Sequence, residues 1–86
     1  MGVNWNFEIE EKFKLMISKM PLFQRRIAEK MVKEEVATIV TEKKLNEVSE
    51  EVLVHAFFKK VPGPFKGLMK KLLKDVNIDY TKYGYE

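Results

Sequence analysis

The 86-residue chain contains no cysteine, which excludes disulfides, thiolate metal sites, cysteine-held iron–sulfur clusters and cysteine nucleophiles. Histidine is nearly absent as well. His55 stands alone, with no serine or cysteine spaced to serve it as a nucleophile, and reads as a packed or surface residue. Glycine occurs only four times and never in a phosphate-cradling or dinucleotide-binding pattern, and no zinc motif or calcium loop can be written anywhere in the chain. The glutamates Glu8, Glu10, Glu11 and Glu29, Glu34, Glu35 alternate with lysines at helical spacings and read as solvated helix faces rather than as metal ligands. No cofactor and no enzymatic activity are therefore expected. Long apolar runs are missing too, the longest falling far short of the roughly 20 residues that a membrane-spanning helix requires. No signal-peptide pattern precedes Trp5, so a cytoplasmic protein is expected.

What the chain does have is enough apolar surface for one small domain. Hydrophobic residues make up 45% and charged residues 34%, too apolar a balance for a disordered chain. At this length about 60–65% of the unfolded surface can be buried, which sets one core as the ceiling. The net charge of +3 is unevenly spread: residues 1–20 sum to 0, 21–40 to +1, 41–58 to −2, 59–76 to +5 and 77–86 to −1. One segment holds the basic excess.

Periodicity predicts an all-α chain, a small bundle of about four helices. Phe7, Ile9, Phe13, Met16, Ile17 and Met20 fall on one helical face, with glutamates at its start where the helix dipole favours them. Pro21 ends that helix and suits the first turn of the next, because its missing N–H has no partner there. From Phe23 the stripe of Ile27, Met31, Val36 and Ile39, with Ala28 and Val32 beside it, predicts a long helix to about Val40. Residues 41–48 lose the period and read as a connecting loop, part of it extended. Ser49 is a candidate N-cap, followed by Glu50 and Glu51, and predicts a helix to about Lys60 that is buried on more than one side.

The sequence Val61-Pro62-Gly63-Pro64 is the strongest breaker and forms a hinge before a last helix, from about Pro64 to Val76. There Phe65, Leu68, Met69, Leu72, Leu73 and Val76 occupy an arc of about 140°, opposite Lys66, Lys70, Lys71 and Lys74. That basic face is the candidate surface for phosphates or anionic lipid, against the plainer reading of a solvated outer face. Residues 1–76 thus form the expected domain. Residues 77–86, with Tyr80, Tyr83 and Tyr85, are either a mobile tail or a strap over the core. The expected core comprises Trp5, Phe13, Met16, Ile27, Met31, Val52, Ala56, Phe57, Leu68 and Leu72.

Several of these residues also carry a family pattern. Trp5, a helix ending at Met20, Pro21-Leu22-Phe23-Gln24-Arg25, an acidic position at Glu34 or Glu35, Ala37, and Ser49-Glu-Glu-Val52 followed by Ala56 occur in an order that resembles the C-terminal helical domain of the B subunit of light-independent protochlorophyllide reductase. The likeness covers about residues 5–58. Ser49 stands where that family has threonine, the segment between Ala37 and Ser49 is longer than the pattern and lacks its glycine, and the Pro-Gly-Pro hinge, basic helix and tyrosine tail lie beyond it. The resemblance implies a non-catalytic accessory domain that packs on a larger protein or caps a tetrapyrrole pocket. For such a module Trp5, Pro21, Phe23, Arg25 and Arg26 are the candidate partner-binding residues, of which Trp5, Pro21 and Arg25 fall on family positions. The basic helix leaves nucleic acid as the alternative partner.

Overall fold

Asn6 accepts a hydrogen bond from the Ile9 amide and opens the first helix, α1 (Phe7–Ser18), with Glu8 and Glu10 in its first turn. Pro21, at ψ 146°, is extended backbone immediately before α2 (Leu22–Lys43), so it caps that helix instead of lying inside it. The Ser49 hydroxyl caps α3 (Glu50–Lys60) by accepting from the Val52 amide. Pro62 then leads into a 3-10 turn, Gly63–Phe65, that feeds α4 (Lys66–Asp75). The computed structural model describes residues 3–85. Residues 1 and 2 of the expected domain and residue 86 of the expected tail lie outside them.

The helix α2 runs three residues past its expected end, so residues 41–43 of the expected loop are helical. It stops at Lys44, whose φ of 54° is left-handed. The Leu45 amide bonds back to the Val40 carbonyl and the Lys44 amide to Thr41, which satisfies the last free carbonyls. A lysine in this conformation costs about 1–2 kcal/mol that a glycine would not. The α4 helix ends the same way on Asn77, at φ 61°, a residue type that tolerates the left-handed region. The extended part of the connecting loop is real. Val48 pairs in parallel with Trp5, its amide donating to Asn4 and its carbonyl accepting from Asn6, so the strand-like start of the chain is clasped to the entrance of α3.

At the centre lies α3, with Leu53, Val54, Ala56 and Phe57 fully buried. It packs along α2, touches α1, and receives the C-terminal segment on its remaining side. Phe57 meets the edge of Phe13 at 5.8 Å, and Phe13 stacks on Trp5 at 5.2 Å. Of the expected core, Phe13, Met16, Val52, Ala56, Phe57 and Leu72 are buried and Trp5 is half-buried against it. Ile27, Met31 and Leu68 are not core residues; all three are exposed, because α4 stands off from the first half of α2. Glu35 departs from expectation in the other direction. It is buried on α2, with Lys59 at 3.2 Å and Lys60 at 3.8 Å supplying the opposite charge, rather than lying on a solvated face.

Of the two readings of residues 77–86, the strap holds. Ile78 and Tyr80 are buried, a 3-10 turn spans Tyr80–Tyr83, and Tyr85 stacks on Phe58 at 3.9 Å. The radius of gyration of 12.0 Å equals the value of about 12 Å expected of a fully folded chain this long. Tyr83 donates to Glu50 at 2.6 Å. Burial first, then the hydrogen bond and charge of Glu50 and the charges of Glu51 and Asp79, push its phenol from the ordinary 10.0 up to about 12. The folded state holds this proton more tightly than the unfolded one, so the stability it confers is complete below pH 10 and lost as the pH rises to about 12. In alkaline unfolding followed by circular dichroism, Tyr83→Phe should flatten this part of the curve. Superimposable curves for the two proteins would mean that the phenol is not bound to Glu50 in solution.

Candidate functional site

Because α4 stands off from α2, the two helices and the turn before α4 enclose an open groove of about 310 Å³. One wall is the exposed face of α2, with Phe23, Ile27 and Met31 at successive turns; the other is Phe65 and Leu68. Met20, Val32 and Met69, all buried, form the floor. Phe23 is 76% exposed and Ile27 60%, and Leu22, one residue before Phe23, is 76% exposed. Phe23 and Ile27 line the groove, and Leu22 does not. No carboxylate lines the groove.

The five candidate partner-binding residues do not share this face. Phe23 lies in the groove and Arg26 is exposed on the same stretch of α2. Trp5 is engaged with Phe13 and Val48 and does not line the groove. Pro21 is exposed at the joint between α1 and α2. Arg25 turns inward: its Nε donates to the Met20 carbonyl at 2.8 Å and its terminal nitrogen to the Ser18 carbonyl at 2.6 Å, which closes the end of α1. A partner-binding role on this stretch is therefore best examined at Arg26 and Phe23, which the fold does not use. On α4, Lys71 and Lys74 are exposed, Lys66 and Lys70 are half-buried, and none of the four lies within 4 Å of a carboxylate among the described residues. The only acidic residue of that helix, Asp75, pairs with Lys19 at 3.7 Å.

A second, more polar hollow is lined by Glu35, His55, Lys59 and Tyr85 among others. Here the His55 Nδ1 lies 2.6 Å from the Tyr85 hydroxyl and its Nε2 lies 3.6 Å from Glu51. With Tyr85 stacked on Phe58, this line of carboxylate, imidazole and phenol fastens the strap to α3. Among the described residues no three histidine, aspartate or glutamate side chains converge to hold a metal ion, and no helix is long and apolar enough to cross a membrane.

The residues that sequence reasoning missed are Ile27, Met31, Phe65 and Leu68, read as core or as the buried face of a helix. Their signal was present. At 100° per residue, Phe23, Ile27 and Met31 lie on one side of α2, whereas Ala28, Val32, Val36 and Ile39 lie about 140° away. Two stripes on one helix need covering on two sides, and among the described residues the Phe23, Ile27 and Met31 stripe stays exposed. No family model, curated protein or solved structure matches the chain.

Proposed function

We propose that this chain is a non-catalytic, cytoplasmic interaction domain whose partner, a larger protein, docks in the groove between α2 and α4. The observation that carries the reading is the pair Phe23 and Ile27, exposed on the wall of an apolar groove. The likeness to the C-terminal helical domain of light-independent protochlorophyllide reductase supports the same reading, since an accessory domain acts through the larger chain it packs on. Within that likeness, capping a tetrapyrrole pocket is a form of the same docking. Ile27→Asp places a charge in the groove without touching the core. Retention of a defined lysate protein by the wild-type domain at high salt, lost in Ile27→Asp with an unchanged circular dichroism melt, is the expected result. Equal retention by both proteins would remove the groove from consideration.

Nucleic acid is the second reading, favoured by the four α4 lysines that have no carboxylate within 4 Å among the described residues. Counterion release predicts duplex binding whose log–log salt slope approaches about −0.9 per phosphate contacted, so absence of binding at low salt sinks it.

A further inference from the structure

We infer that the occupant of the groove is the apolar face of an acidic amphipathic helix, an inference that rests on the docking reading above. The shape points to a helix. Phe23, Ile27 and Met31 are spaced i, i+4, i+8 along α2 and span about 12 Å, or about two turns, the length over which a docked helix presents anchors at i, i+3 or i+4, and i+7. The lining offers almost nothing to hydrogen-bond with, since apart from Gln24 and Lys60 its side chains are apolar, and no sheet edge is present among the described residues. An extended peptide laid there would leave its own amides and carbonyls without partners, at a cost for each buried group; a helix brings them already paired.

The charge around the groove sets the sign of the partner. Arg26 and Lys30 stand one position before Ile27 and Met31, which puts them on the lip of the α2 wall. Lys71 borders Leu68 on α4, three residues further along. None of these three has a carboxylate within 4 Å among the described residues, whereas the neighbouring Lys19 and Lys60 are matched internally by Asp75 and Glu35. Three unmatched cations around an acid-free apolar trough select an occupant that flanks its hydrophobic anchors with aspartate and glutamate, and they disfavour a basic one.

The test is selection by the intact domain from a displayed library of helices of about 16 residues, roughly 24 Å long, with fixed leucine, isoleucine or phenylalanine at the anchor positions and all flanking positions random. Helices enriched in Asp and Glu, binding Ile27→Asp undetectably and Arg26→Glu/Lys30→Glu at least about 10-fold more weakly, are the expected result. All three substituted residues are exposed, and unchanged thermal melts establish that the variants fold. Enrichment that depends on Ile27 but shows no acidic bias overturns the charge assignment while leaving the docking reading standing. No enrichment over the Ile27→Asp protein overturns both. Two further outcomes also overturn the inference. Sedimentation showing an oligomer of the wild type that Ile27→Asp dissolves assigns the groove to a second copy rather than to a separate partner. Ile27-dependent retention on phosphatidylserine vesicles assigns it to a membrane surface.

Discussion

Truncating Phe57 to alanine is expected to remove about 3–5 kcal/mol of stability, the range for deleting a fully enclosed phenylalanine. The ring is wholly buried on α3, the helix that α1, α2 and the strap all touch. Its edge contact with Phe13 continues into the stack of Phe13 on Trp5, so the cavity would open in the middle of a chain of rings. A domain of this size has about 4–13 kcal/mol in total, so the substitution removes between about a quarter and all of it. Trp5, the single tryptophan, reports the transition directly in denaturant titrations. Phe23→Ala provides the contrast. Its ring is mostly in water, and its loss should change stability by about 0.5 kcal/mol or less. Similar costs at the two positions would contradict the division of the aromatic residues into core and groove.

The second large effect is expected at Arg25. In Arg25→Ala the carbonyls of Ser18 and Met20 lose charge-assisted partners, at a cost of about 1.5–3 kcal/mol, which lowers Tm by about 6–24 °C in a domain of this size. Arg25→Lys should recover less than half of it, because an ammonium is a point donor and cannot bridge two carbonyls as a planar guanidinium does. An unchanged Tm in Arg25→Ala would show that water serves these carbonyls equally well. The Pro21-to-Arg25 spacing acquires a physical meaning from this geometry. Pro21 starts α2 and Arg25 lies one turn further on, so its side chain reaches back over the joint to the end of the preceding helix. Charge reversal at this pair of arginines should therefore separate: at Arg25 it should lower stability, and at exposed Arg26 it should leave the melt unchanged.

The number and order of the helices were legible because Pro21, Ser49 and the Pro62-Gly63-Pro64 turn mark three starts and each helix carries a periodic apolar face; the Asn6 cap of α1 emerged only in the structure. The basic side of α4 was legible for the same reason, and its buried Met69, Leu72 and Leu73 lie where the period put them. The groove was not, because periodicity tells which residues share a face and not whether another element covers it. Ile27 and Leu68 look like core residues in a helical wheel and are exposed only because two helices diverge in space. Glu35 illustrates the converse. A carboxylate at helical spacing among lysines reads as a surface group until α3 brings Lys59 and Lys60 across it. The clasp between Trp5 and Val48 joins positions too far apart in sequence for local pattern to indicate.

The two walls of the groove are not equally fixed. The α2 wall belongs to the closely packed α2–α3 pair, whereas α4 is strung between the Pro62-Gly63-Pro64 turn and the left-handed Asn77 and is anchored by Met69, Leu72 and Leu73 and by the Asp75–Lys19 pair. Local opening free energies follow the density of such contacts, so the α4 wall is the one that yields. On the docking reading, a trough with one stiff side and one compliant side would discriminate poorly by shape, and rejection of wrong partners would fall to the charged lips.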